Sequence, residues 1–321
     1  MAAARRPADA TRRLAVAASG GRDSTALLHA TVRRAAPLGL EVVALHVHHG
    51  LMADADAWCT HVQRQAARWG AGFAVERLEG APARGESVEA WARRGRYHAL
   101  GRLARDAGCD LVLLAQHRRD QAETFLIQAL RGGGAAGLAA MPRLVHRDGL
   151  AWARPWLDQP REAIEAYVRR HRLRFIDDPS NGDLRFARAR LRGLWPALSE
   201  AFGDAETTLA RAAQRAAAEA ALVQEVAGES LQALLADDAD AGLPVPAWLR
   251  LSAARRAAVL RQWLMQVLSP PVPETLVRRL LDELPGRHAA RWPAGAQDLQ
   301  LRRGRLRPVA AVGARRRTPA E

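Results

Sequence analysis

The sequence predicts an α/β fold, a parallel sheet with helices on both faces, followed by a smaller, mainly helical C-terminal domain. Three observations predict it. Between Leu14 and about Asp120, short apolar runs alternate with helix-length segments, the pattern of a parallel sheet covered by helices. The first apolar run ends in two adjacent glycines that open directly into a helical pattern, Ser19-Gly20-Gly21-Arg22-Asp23-Ser24. Beyond Leu194 the alternation gives way to alanine-rich helix. A chain of 321 residues accommodates one large domain and a smaller one.

Each element follows in order. Residues 1–13 are polar and basic and read as an N-terminal arm. Strands are expected at Leu14–Ala18, Val42–Val47, Phe73–Leu78 and Leu111–Ala115, with helices near 24–36, 54–70 and 86–107. A helix over 121–131 is stopped by Gly132-Gly133-Gly134. A strand at Leu150–Trp156 precedes a helix at 160–171, and Pro179-Ser180-Asn181-Gly182 signals a turn. Residues 197–238 read as one long helical arm or two helices, 247–268 and 273–284 as further helices. Trp292–Gly295, Leu299–Arg302 and Leu306–Val309 read as a short hairpin before a basic tail. The domain boundaries expected are an arm 1–13, a first domain 14–195, a helical connector 196–245, a small C-terminal domain 246–312 and a tail 313–321.

The net charge is +14, the isoelectric point near 11.4, and all 48 basic residues are arginine. Such an excess points to a polyanionic partner, although abundant alanine shows that codon bias contributes. Cys59 and Cys109 form no CxxC or metal spacing, which suits a reduced cytoplasmic chain and argues against sulfur-transfer chemistry. No apolar run approaches membrane-spanning length, so no membrane association is expected.

Ligands of open parallel sheets sit at the C-terminal ends of the strands. That rule puts Ser19–Ser24, His46–Gly50 and Gln116–Asp120 on one rim, although they are distant in sequence. The glycines let backbone approach a ligand, Ser19 and Ser24 add hydroxyls, and the following helix aims free amides at a phosphate. Asp23 makes sense beside phosphates if it helps to hold Mg2+. The Walker A lysine and the dinucleotide fingerprint are both absent. His46, His48 and His49 suggest a metal site or the rim of a nucleotide pocket, with His46 and His48 on one strand face. Glu89 and Arg93 have the spacing of a helical surface pair. In Gln116-His117-Arg118-Arg119-Asp120-Gln121-Ala122-Glu123-Thr124, two carboxylates one turn apart suit a cationic substrate, Mg2+, or acceptance of a proton from an amine. Arg131 leads a glycine-rich loop able to close over the site or contact phosphate. Arg185, Arg188, Arg190 and Arg192 form a dense basic face suited to phosphate or RNA.

The loop Ser19–Ser24 resembles the PP-loop of the ATP pyrophosphatases, which cleave ATP between its α and β phosphates and adenylate a substrate. Seven segments, SGGRDS, HVHHGL, EAWARRGRY, QHRRDQAET, RGGGAAGLAAM, RPWL and DDPSN with RFARARLR, occur in the order and approximate spacing of the tRNA(Ile)-lysidine synthetase family. The resemblance is specific over about 12–195 and weaker beyond. His48, Gln116, Arg119 and Ala189 depart from that family's usual asparagine, histidine, aspartate and asparagine. A second C-terminal domain of longer members is not evident.

The resemblance implies an adenine nucleotide α-hydrolase-like PP-loop domain at 14–195 and a tRNA-binding domain at 246–312. It implies a cytoplasmic ligase that uses ATP and Mg2+ to join free L-lysine to carbon 2 of the wobble cytidine of tRNA(Ile) with a CAU anticodon. An adenylated cytidine is the intermediate, and the decoded codon changes from AUG to AUA. Homodimers are among the expected assemblies. Carried onto this sequence, Ser19, Gly20, Gly21, Arg22, Asp23 and Ser24, with His46 and His48, bind the nucleotide. Asp23, Asp120, Glu123 and His117 are catalytic, Asp23 and Asp120 hold the metal, and Asp120, Glu123, Arg131, Arg185, Arg188 and Arg192 bind substrates. A PP-loop amide ligase acting on a small metabolite and a non-catalytic RNA-binding protein are the rival readings.

Overall fold

The computed structural model describes residues 12–48, 50, 54–81, 88–177, 182, 185, 187–236, 242–268 and 272–311, the side chains of 88–90 excepted. His49, the Glu89 side chain, Asp178–Asn181 and Phe186 lie outside the described residues, as do the arm before residue 12 and the tail from 312. The chain divides into two compact units, 1–217 and 218–321.

Unit 1 is built on a six-stranded sheet in the order β3-β2-β1-β4-β6-β5. Its strands are β1 (Arg13–Ala17), β2 (Glu41–His48), β3 (Gly72–Arg77), β4 (Leu111–Leu113), β5 (Leu144–Arg147) and β6 (Leu150–Ala153). All neighbours are parallel except the edge hairpin β5–β6. Its helices are α1 (Arg22–Ala35), α2 (Ala55–Trp69), α3 (Val88–Asp106), α4 (Arg118–Leu130), α5 (Ala135–Leu138), α6 (Arg161–Arg170), α7 (Ala187–Phe202) and the start of α8 (Ala205–Leu235). The period-two alternation of β1 shows why both faces are covered. Ala15 and Ala17 pack with Ala99, Leu100 and Leu103 of α3, whereas Val16 and Ala18 pack with Leu27 and Leu28 of α1 and Val62 of α2.

The chain runs outward from β1 through β2 to β3, then returns to β4 on the other side of β1. Loops leaving β1 and β4 therefore diverge, which opens a crevice at their carboxyl ends. Ser19–Ser24 follows β1 and Gln116–Asp120 follows β4, so topology alone brings these segments together.

Two expectations change here, and one stated alternative is settled. The glycine-rich segment after Arg131 is a tight connection: Gly132 ends α4 at a φ of 71°, and Gly134 starts the single turn α5. Gln121 then grips Met141 through two bonds of 3.0 Å, tying the QHRRDQAET and RGGGAAGLAAM segments together. The 197–238 stretch resolves into α7 and α8, broken at Gly203, whose φ is 56°. Helix α4 starts at Arg118, three residues before the expected 121, because His117 caps it.

Unit 2 contains the remainder of α8, then β7 (Leu243–Pro244), α9 (Val245–Leu249), α10 (Ala253–Val267), α11 (Glu274–Glu283), β8 (Ala290–Ala294), β9 (Gln297–Arg302) and β10 (Arg305–Ala310). The three expected runs form β8, β9 and β10, and β7 joins them in an antiparallel sheet ordered β7-β10-β9-β8. Trp248, Trp263 and Trp292 fill its core with Leu260, Leu264, Leu280 and Leu306. Among the described residues no helix is long and apolar enough to cross a membrane.

Candidate active site at the β1–β4 crevice

The loop after β1 is held open by its own backbone. Gly20 adopts a φ of 89°, in the region that favours glycine. A Cβ there would lie 2.6 Å from Ile176 Cδ1, so conformation calls for glycine and a side chain would also press on Ile176. The Gly20 carbonyl accepts from the Ile176 amide at 2.9 Å and from Thr25 Oγ1 at 3.1 Å, fixing the loop from both sides. Gly21 is less constrained, with a φ of −68° as the residue before α1. Ser24 Oγ lies 3.0 Å from Ser19 Oγ and donates to the Gly21 carbonyl at 3.0 Å, while the Ser19 amide donates to it at 3.2 Å. The first amides of α1, from Arg22 on, have no acceptor within the helix. His46, buried on β2, bonds through Nδ1 to the Ala18 carbonyl at 2.8 Å and braces the approach to the loop.

Arg22 does not stand free for phosphate. Its Nη1 donates to Glu165 of α6 at 2.7 Å, its Nε to Asp23 Oδ1 at 2.9 Å, and Arg161 shares Glu165 at 2.9 Å. Glu165 carries no local sequence signal for this role. It is one of two acids on an amphipathic helix.

His117 is the hub of the crevice. Its Nδ1 accepts from the Arg119 amide at 3.2 Å, and Asp120 Oδ2 accepts from the His117 amide at 3.0 Å, a reciprocal cap on α4. With Nδ1 accepting, Nε2 carries the proton of the neutral ring. Nε2 lies 3.7 Å from Asp23 Oδ2 and 3.6 Å from Asp120 Oδ2. Carboxylates that follow different strands thus converge on one point. Burial works to raise the Asp23 carboxyl, but bonds from His117 and Arg22 outweigh it and bring its pKa from 3.8 down to about 2. Burial lowers His117, yet Asp23, Asp120 and Glu206 together hold it above the usual histidine range.

Glu123, one turn further along α4, is fully buried. Arg192 of α7 reaches it with Nε at 3.0 Å from Oε1 and Nη2 at 3.4 Å from Oε2, and also lies 3.8 Å from Asp120 Oδ1. Arg188 donates to Thr124 Oγ1 at 3.0 Å and lies 3.6 Å from Asp120 Oδ1. Burial raises the Glu123 carboxyl above its ordinary range, and Arg192 only partly offsets that. Burial also opposes the Arg192 charge, but Glu123, Asp120 and Asp23 outweigh it.

The basic face expected over 185–192 is therefore corrected. Arg188 and Arg192, at i and i+4, share one face of α7 and turn toward the acids of α4. Arg185 is exposed and gives its carbonyl to Arg190. Arg131 is exposed at the far end of α4, about 16 Å of helix from Asp120. His48 is buried, accepts from the Gly50 amide at 3.2 Å, and sits 3.2 Å from Asp56 Oδ1 without hydrogen-bond geometry. Among the described residues no cluster of three or more His, Cys, Asp or Glu forms a metal cage. Asp23 and Asp120 are two hard oxygen donors on a common point, which fits Mg2+ that keeps water and phosphate as its other ligands.

Comparison with known proteins identifies the family. A family model described as a PP-loop domain matches residues 2–198. The tRNA(Ile)-lysidine synthase of Ralstonia nicotianae is 49% identical over 254 residues, 78% of this chain and 54% of that protein. The tRNA(Ile)-lysidine synthase of Bordetella bronchiseptica is 41% identical over 318 residues, 95% of this chain and 92% of that protein. The one from Bordetella pertussis is 41% identical over 318 residues, 95% of this chain and 99% of that protein. The chain thus spans about half of the Ralstonia relative and nearly all of the Bordetella ones. In fold alone it is similar to the U34-tRNA thiolase NcsA of Methanococcus maripaludis, with a TM-score of 0.55 and 14% identity over 64% of this chain and 71% of that one. The PP-loop match covers most of the first unit, and likeness to the Bordetella relative continues along almost the whole sequence: the chain belongs to the tRNA(Ile)-lysidine synthase family of PP-loop proteins.

Proposed function

We propose that this chain uses ATP to join the ε-amine of lysine to carbon 2 of the wobble cytidine of tRNA(Ile) with a CAU anticodon. The observation that carries the reading is the meeting of Asp23 and Asp120 at His117 Nε2, beside a loop shaped for phosphate. The O2 oxygen of cytosine attacks the α-phosphate of ATP and pyrophosphate leaves. Lysine then attacks carbon 2 and AMP departs with that oxygen.

The Ser19 and Ser24 hydroxyls and the first amides of α1 hold the leaving pyrophosphate. Asp23 and Asp120 would hold Mg2+, which when bound offsets negative charge on the phosphates. His117 keeps the two acids in register and caps the helix that carries Asp120. The lysine amine, with a reference pKa of about 10.4, must lose a proton before it attacks. Glu123 receives it: a buried carboxylate whose affinity for a proton is already raised is a suitable base. Arg192 and Arg188, held over Asp120 and Glu123, offer positive charge to the lysine carboxylate. Unit 2, with exposed arginines at 302, 303 and 307, adds contacts to the tRNA backbone.

The test is incorporation of labelled lysine, with ATP and Mg2+, into tRNA(Ile) with a CAU anticodon and into elongator tRNA(Met). Label retained on the first transcript alone is the expected result. Pyrophosphate release independent of tRNA would instead favour a ligase of small metabolites, and no ATP turnover would favour a binding protein.

A further inference from the structure

Helix α4 begins with a local conflict. Arg118 and Arg119 occupy its first two positions, where the helix dipole disfavours positive charge. The conflict is resolved by a residue almost ninety positions away. Glu206, in the first turn of α8, is buried and receives Arg118 Nε at 3.0 Å and Arg119 Nε at 2.8 Å, one on each oxygen. Its carboxylate lies by the amino end of α4 while occupying that of α8, so one negative charge answers two helix dipoles and two guanidinium groups. Arg119 is fixed from a third side by Trp195 of α7, whose ring centre is 4.8 Å from its guanidinium carbon. Glu162 of α6 lies 3.8 Å from Arg119 Nη2 at the exposed margin.

This geometry has a consequence for the site. Trp195 shares the α7 face of Arg188 and Arg192, at i, i+4 and i+7. The contacts of Arg119 therefore tie together the helix bearing Asp120 and Glu123 and the helix bearing the arginines that meet them. The next two residues of α4 after the Arg118 N-cap neighbour are Arg119 and Asp120, so a shift of the first turn moves His117 and Asp120 directly.

We propose that Glu206 is a positioning residue, which with Arg118 and Arg119 sets the first turn of α4 and so places His117 and Asp120 opposite Asp23. The proposal rests on the function stated above only for its catalytic readout. Glu206→Gln keeps the shape of the side chain and removes its charge. At saturating tRNA and lysine, kcat for lysine incorporation is expected to fall about tenfold with KM for ATP within about twofold, as for a misplaced catalytic group. Glu206→Asp should recover part of the loss.

The second readout needs no activity. Amide hydrogen exchange in the full-length chain is expected to quicken about tenfold at Arg119–Glu123 in Glu206→Gln, with α1 unchanged. Arg119→Gln, which leaves the Arg118–Glu206 bond in place, should loosen the same amides less. Unchanged exchange there in both variants overturns the proposal. Loosening spread equally over α1 and the central sheet overturns it too, because Glu206 would then hold the whole unit and not one turn. Absence of lysine incorporation by the wild-type chain counts against the proposed function, while the exchange comparison still decides the clamp.

Discussion

The two halves of the crevice are made in different ways. The half after β1 is backbone: Gly20 in a left-handed conformation, hydroxyls bonded within six residues, and the amides of a helix start. The half after β4 is side chains from separate helices, with Glu123 paired across 69 positions to Arg192 and Arg119 across 87 to Glu206. The first half takes its shape mainly from its own residues, with the Ile176 amide as a distant tether on the Gly20 carbonyl. The second exists only when α4, α7 and α8 pack together. Phosphate chemistry is therefore expected to be robust to changes in helix packing, and lysine chemistry sensitive to them.

The largest effect should come from the loop half. Asp23→Asn should lower tRNA-dependent pyrophosphate release by about 10³-fold, since it removes one of the two carboxylates proposed to hold Mg2+. Retention within tenfold would show that the loop does not carry the first step. Next in size, Glu123→Gln should cut lysine transfer by about 10²-fold while adenylated tRNA still forms, seen as trapped AMP on the transcript. If both variants stop at the same step, the division of labour between the halves is wrong.

Substitutions in the loop also separate shape from chemistry. Gly20→Ala should destabilise unit 1 by about 2–3 kcal/mol in denaturant titration, the sum of a left-handed alanine and an overlap with Ile176. Gly21→Ala, where a Cβ would meet only Ser19 Oγ at 3.5 Å, should change stability by less than about 1 kcal/mol. Equal losses at both positions would mean that the loop is not held by Gly20.

The smallest effect is a contrast in pH dependence, measured as unfolding free energy of wild type minus variant. Asp23 has its folded pKa lowered from 3.8 to about 2. Its contribution is therefore fully present above 3.8 and is lost as pH falls toward 2, about 1–2 kcal/mol after allowance for its partial exposure. Glu123 has its folded pKa raised from 4.5. Wild type should therefore lose stability relative to Glu123→Gln as pH rises from 4.5 through the folded value. Differences that run in the same direction at the two positions would contradict the opposite environments described for them.

Much of this was legible in advance. The strands β1 to β4 lie within a few residues of the expected runs, because alternation of apolar strands and helices is a local pattern. The rim placement of Ser19–Ser24 and Gln116–Asp120 follows from topology once the sheet is parallel. The arginines were read for their charge, and charge does not state direction. Arg131 reads as the head of a glycine-rich loop able to close over the site, but α4 carries it to the end of the helix away from Asp120. Arg188 and Arg192 read as part of a basic face for phosphate or RNA, but their spacing equally suits a face turned inward, and the acids of α4 draw them there.

The sequence by itself determined the parallel α/β sheet, the phosphate loop and the family, because backbone conformation, hydrophobic period and ordered motifs are properties of short segments. Only the tertiary structure decided that Arg22 belongs to Glu165, Arg192 to Glu123, and Arg118 and Arg119 to Glu206. The physical reason is that a charge-assisted bond depends on a distance of about 3 Å between atoms. For residues many tens of positions apart, that distance is set by how helices pack and not by any neighbouring residue.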